Sequence, residues 1–133
     1  MRLPILWIVG LAIMVETTAI AILAVLVAIF GPHGPGASES GAVQAFAEHL
    51  GQFVGPIASA VLCFLGAWWL ARRAKQREVL CGFLLGAACV TIDLATLFPL
   101  GGKFGWLIAV SNTGRLIAGT LGGYVGSRTR MPN

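Results

Sequence analysis

Charge is what this sequence has least of. Only 11% of its 133 residues are Asp, Glu, Lys or Arg, less than half of the ~25% typical of a soluble domain. That leaves too little polar surface to keep a folded core in water. Acidic residues are the scarcer kind, five against nine basic, for a net charge of +4. The positive balance does not imply a nucleic-acid partner, because seven of the nine basic residues sit at the ends of apolar segments. Cysteine is scarce as well. Cys63, Cys81 and Cys89 match neither a CxxC pair nor a zinc pattern, and read as small buried packing residues. Also missing are a nucleophile–base pair, a metal motif and a cofactor fingerprint. Gly122, Gly123 and Gly126 lack the strand context and the Gly-Lys-Ser/Thr ending of a phosphate loop. Neither an enzyme nor a cofactor is expected.

What fills the chain instead is apolar sequence, 57% of residues, gathered into four runs at about 3–30, 53–71, 79–98 and 106–125. Each approaches or exceeds the ~20 residues with which a helix crosses ~30 Å of hydrocarbon. No run alternates with period two, and a spanning segment must satisfy its backbone internally, so helices are expected. The expected fold is an all-α, polytopic integral membrane protein with four transmembrane helices in one domain, residues 1–133. The first run is longer than the ~7–15 apolar residues of a signal peptide and carries Glu16, so it reads as a retained helix.

Basic residues set the expected direction. Arg2 precedes the first span, "RRAKQRE" (Arg72 to Glu78) joins the second to the third, and Arg128 and Arg130 follow the fourth. The other two connections hold only Lys103, with Glu39 and Glu48. By the positive-inside bias both termini are cytoplasmic, in a cell inner (cytoplasmic) membrane. Trp7, Trp68, Trp69 and Trp106 mark the membrane interfaces. The outer loop, 31–52, holds "GPHGPGASESG", then Ser40 as a helix N-cap and "AVQAFAEHLGQF" at helical spacing. That stretch is either an interfacial helix or an extension of the second span, kinked at Pro56. The inner basic loop is 72–78 and the outer turn 99–105. His33, Glu39, Glu48 and His49 have no diagnostic metal spacing and read as solvated loop residues. "RRAKQR" suits anionic lipid headgroups or a cytosolic partner, although the orientation bias already accounts for it.

Three ionisable residues fall inside the runs: Glu16, Asp93 and Arg115. A charge at the bilayer centre costs at least about 2.5–3.5 kcal/mol, so all three are expected to face the bundle interior. Arg115 shares a helical stripe with Ser111, Gly119, Gly122 and Gly126, and Asp93 aligns with Cys89, Gly86 and Gly82. Small residues of this kind let helix backbones approach closely, so the tightest contact is expected between the third and fourth spans. Thr17, Ser111, Asn112 and Thr113 add hydroxyls and an amide beside the charges. If all three ionise, two carboxylates and one guanidinium sum to minus one, which leaves the cluster one proton or one cation short of neutral.

Two functional classes follow. In the first, a small transporter or channel subunit moves a proton, ion or small solute. Glu16 is its protonatable group, Asp93 and Arg115 are a tuning pair, and Ser111, Asn112 and Thr113 line the path. In the second, a non-catalytic accessory or assembly subunit of a larger membrane complex uses the charges only to lock helix register, with Arg115 paired to Asp93 and Glu16 protonated or hydrogen-bonded to Thr17, Ser59 or Asn112. Four spans enclose little volume, so a homo-oligomer or larger membrane complex is expected in the lipid bilayer. "MVETTAI", Met14 to Ile20, resembles the first-helix glutamate segment of small multidrug resistance transporters. The resemblance implies a glutamate that binds drug and protons competitively in an antiparallel dimer. It covers these seven residues alone. The long outer loop, the strong charge bias and Arg115 depart from that family's pattern.

Overall fold

A computed structural model describes residues 5–33, 41–73, 77–97 and 105–129. Helix α1 is Ile5–Phe30, α2 Ala42–Arg73, α3 Glu78–Leu97 and α4 Trp106–Arg128. Helices α1, α2 and α3 are long and apolar enough to cross a membrane, which suggests a membrane protein. Helix α4 is less apolar. Ser111, Asn112, Thr113, Arg115 and a series of glycines dilute it, and it turns most of those residues inward. Outside, the bundle is coated with hydrocarbon: Leu6 is 89% exposed, Phe30 67% and Trp106 73%. Against water so extensive an apolar surface would be an aggregation hazard, and against lipid it is ordinary.

Helix α2 runs unbroken from Ala42 through Pro56 to Arg73, about 48 Å at 1.5 Å per residue. The segment expected as loop to residue 52 is therefore helical from Ala42 onward, as an extension of the second span. Pro56 removes one backbone donor, yet the helix continues, and the Ser59 hydroxyl donates to the Pro56 carbonyl at 3.2 Å. Arg72 and Arg73 also belong to α2, and Glu78 opens α3. Ser40, Glu39 and most of the 99–105 turn lie outside the described residues.

In cross-section the helices run in the order α1, α2, α4, α3, with α2 and α3 also meeting across the middle. Helix α4 touches α2 and α3 but not α1, and its most extensive contact is with α2. The expectation of tightest packing between the third and fourth spans is thus only half of the arrangement. The glycine stripe of α4 is wide enough to face both neighbours. A methyl on Gly82 of α3 would press on the Gly119 carbonyl, and one on Gly86 would lie 2.9 Å from the Arg115 carbonyl oxygen. Gly122 and Gly126 face α2 instead: a methyl there would meet the Phe64 carbonyl and, at 2.6 Å, Ala71 Cβ. Because 3.6 residues make a turn, steps of three and four spread these glycines over an arc and not a line.

Packing is uneven along the bundle. From one end, where α1 and α3 begin and α2 and α4 finish, a core of Ile8, Ala12, Val15, Cys63, Ala67, Leu70, Cys81, Leu85 and Cys89 fills the interior. Toward the other end, beyond Glu16, Ser59, Asp93 and Ser111, only Ala19 and Gly31 are buried among the described residues. Gly82→Ala is expected to lower stability by about 1–3 kcal/mol through overpacking. Gly114→Ala, where a methyl meets nothing within 4 Å, should be neutral or stabilising by up to about 1 kcal/mol. Thermal unfolding in detergent compares them, and equal midpoints would show that the α3–α4 seam is not tight.

Candidate functional site

The polar site is a layer to which every helix contributes. With a rise of about 1.5 Å per residue, Glu16, Ser59, Asp93 and Arg115 lie about 17–22 Å from the ends of their helices at the densely packed pole. They therefore share one level, at the boundary between the filled and the loosely packed halves. Arg115 starts from α4 and reaches across the bundle axis, because α1, which carries Glu16, does not touch α4.

The guanidinium is held on several sides. Arg115 Nη1 lies 3.1 Å from Asp93 Oδ2 and 3.4 Å from Glu16 Oε1. Arg115 Nε donates to Ser59 Oγ at 2.9 Å, and Nη1 donates to Asn112 Oδ1 at 3.5 Å. Ser59 passes its own proton to the Pro56 carbonyl, so its oxygen is free to accept from arginine. The backbone is gripped too, with Cys63 Sγ donating to the Arg115 carbonyl at 3.5 Å and Gly86 packed against the same oxygen. Helix α4 is thereby pinned to α2 and α3 at one residue.

The two carboxylates are not equivalent. Asp93 makes the shorter ion pair, and its side chain stays 31% exposed. Glu16 makes the longer one at 12% side-chain exposure, and its Oε1 has no hydrogen bond. One guanidinium thus faces two acids, and the more deeply buried acid is the less well satisfied. An ion pair without good hydrogen-bond geometry recovers little of the cost of burying its charges.

Other expected residues fall differently. Ser111 and Asn112 are buried in the layer. Thr17 is exposed on the outer face of α1, and Thr113 is exposed with its hydroxyl bonded to the Ala109 carbonyl at 2.8 Å. Neither joins the cluster, since each is one or two residues, and so about 100–200°, away from an inward-facing neighbour. Ser59, expected as a hydrogen-bond partner for Glu16, enters the site as the acceptor for Arg115 instead. Its signal was there, as the one hydroxyl in the apolar run 53–71. Away from the layer, His33 Nε2 donates to the Ala28 carbonyl at 2.9 Å, Gln44 binds Glu48 at 3.1 Å, and His49 tilts against Phe53 at 5.5 Å. Cys63, Cys81 and Cys89 are free and buried.

Removing Arg115 would strand the buried Glu16 carboxylate and leave the half-buried Asp93 without its ion pair, so Arg115→Ala is expected to destabilise by about 3–5 kcal/mol. Ser59→Ala takes away one acceptor, for a loss of about 1–3 kcal/mol. Thermal unfolding in detergent should rank the two in that order, and a silent Ser59→Ala would mean that its contact with Arg115 is dispensable. Comparison with known protein families, with curated proteins and with solved structures finds no match for the chain.

Proposed function

We propose that this protein is a four-span subunit of a small membrane transporter or channel, with both termini cytoplasmic, that moves a proton, cation or small solute past the Glu16–Asp93–Arg115 layer. The observation that carries the proposal is Glu16 Oε1, an oxygen of a buried carboxylate with no hydrogen bond beside an arginine already engaged at 3.1 Å by Asp93. Asp93 largely compensates the guanidinium, and Glu16 is the acid left over. A proton or a monovalent cation on Glu16 would bring the layer to neutrality. Ionisable groups at this depth in a span are functional candidates by default.

The uneven packing supports the same reading. If the loosely packed pole is the outer one, solute approaches the layer from outside, past the 31%-exposed Asp93. The dense half, sealed by Leu85, Cys63 and Cys89 at 0% exposure, then closes the cytoplasmic side. Passage requires that half to loosen, which glycine-lined seams permit because they carry no interlocking side chains. The narrow interior favours an oligomer. A second reading, an accessory subunit in which the layer only locks helix register, is favoured by the two ion pairs already formed on Arg115.

Flux into reconstituted vesicles under a pH gradient separates the two. Glu16→Gln is expected to abolish pH-dependent flux while leaving the fold intact, and Thr113→Val should leave flux unchanged. Unaltered flux in Glu16→Gln would remove Glu16 from the mechanism. Rescue of a misfolded Arg115→Ala by Asp93→Ala would favour the register lock.

A further inference from the structure

Directly beneath the charge layer lies a pair of thiols that takes no part in it. Cys63 stands one turn from Ser59 on α2, and Cys89 one turn from Asp93 on α3, both toward the densely packed pole. Each is 0% exposed, and both belong to one core cluster. Cys63 Sγ donates to the Arg115 carbonyl at 3.5 Å, which leaves its sulfur to accept from the Cys89 thiol. The two thiols are thus hydrogen-bonded to each other across the α2–α3 contact.

Arg115 holds the two helices at this spot. Its Nε donates to Ser59 on one side at 2.9 Å, and its Nη1 pairs with Asp93 on the other at 3.1 Å. Gly86, three residues before Cys89, packs against the same Arg115 carbonyl that Cys63 bonds. The remaining positions at the thiol level are Ala12 on α1 and Gly119 on α4, so neither flanking helix puts a large side chain there.

We infer that Cys63 and Cys89 form a redox pair, oxidised by an organic hydroperoxide from the surrounding lipid to a disulfide that clamps α2 to α3. The inference rests on the bundle lying in a bilayer and not on any transport activity. A disulfide requires side chains that converge, and thiols already bonded to each other across a helix seam meet that condition. One sulfur attacks the hydroperoxide: an S–O bond forms, the O–O bond breaks, and an alcohol departs with the thiol proton, leaving a sulfenic acid. The other sulfur displaces the hydroxyl: the S–S bond forms, the S–O bond breaks, and water leaves with the second thiol proton. The dithiol loses two electrons and the peroxide gains them. Dithiol and disulfide are both uncharged, so oxidation adds no charge to the apolar core. Sulfurs at 0% exposure are reached only when the helices part locally. Outside the bundle at that level is hydrocarbon, which dissolves an organic hydroperoxide and excludes a charged aqueous disulfide.

Cys81 serves as an internal control, buried on the same helix but about 12 Å farther along it from Cys89. The test treats the full chain in lipid vesicles with cumene hydroperoxide or, separately, with oxidised glutathione. Intact mass, thiol counting and peptide mapping read the product. Cumene hydroperoxide is expected to remove two hydrogen atoms, link Cys63 to Cys89 and leave one free thiol. Dithiothreitol should reverse the change. The thermal midpoint of the oxidised chain should rise by roughly 10 °C. Cys81→Ser should behave like the parent, and Cys63→Ser and Cys89→Ser should form no cross-link. A parent chain that gains oxygen without cross-linking, or does not react, would overturn the inference. So would a cross-link that includes Cys81, faster oxidation by glutathione disulfide, or a cross-linked chain with an unchanged midpoint.

Discussion

A single guanidinium sets the geometry of this bundle. Arg115 begins on α4, yet its partners are Ser59 on α2, Asp93 on α3, Glu16 on α1 and Asn112 on its own helix. In a low-dielectric interior each of those contacts is costly to lose. The rotation of every helix about its axis is therefore constrained at one level. A turn of one residue, ~100°, on any of them would carry its polar group out of the layer and leave the guanidinium short of a partner.

The glycines make that reach possible. Arginine spans the bundle axis only because α4 lies close against both α2 and α3, and it lies close because Gly82, Gly86, Gly119, Gly122 and Gly126 present no side chain at the seams. Where lipid surrounds helices there is little hydrophobic force between them, and close backbone packing with interhelical hydrogen bonds takes its place. Small residues and the buried charges are thus two parts of one device. The dense half holds the helices together, and the polar layer stops at its edge, where the loosely packed half begins. In the proposed transport reading, that edge is where a solute arriving from the open half first meets charge.

The two poles differ for a related reason. At the dense pole α2 and α4 finish side by side, Trp68 bridges to Thr129, and Arg72, Arg73 and Arg128 stack on the rings of Trp68, Trp69 and Tyr124. At the other pole α2 runs on past the level where α3 ends, with Val43 and Ala47 facing Val27 and Ala28 of α1 across an open groove of about 590 Å³. Apolar surface there is shared between two helices instead of being enclosed by four.

Much of this was legible in the residues. The four helices, the Glu16–Asp93–Arg115 grouping and the glycine faces follow from segment composition, since a charge in an apolar run must turn inward and a glycine ladder marks a close approach. The threonines were not legible. Thr17 and Thr113 neighbour inward-facing residues in sequence, but adjacent positions on a helix point ~100° apart, and both ended on the outer face. Ser59 stood in the sequence as a hydrogen-bond partner for Glu16; in the structure it donates to the Pro56 carbonyl and accepts from Arg115, a pairing that depends on how α2 and α4 meet.

By itself the sequence determined which segments are helical, their apolar character and which few polar groups must be hidden, because those are properties of each segment alone. Tertiary structure decided that α4 divides its glycines between α2 and α3, that Ser59 completes the shell of Arg115, and that Glu16 is the less satisfied acid. Those outcomes depend on the azimuth and neighbours of four helices settled together, which no single segment encodes.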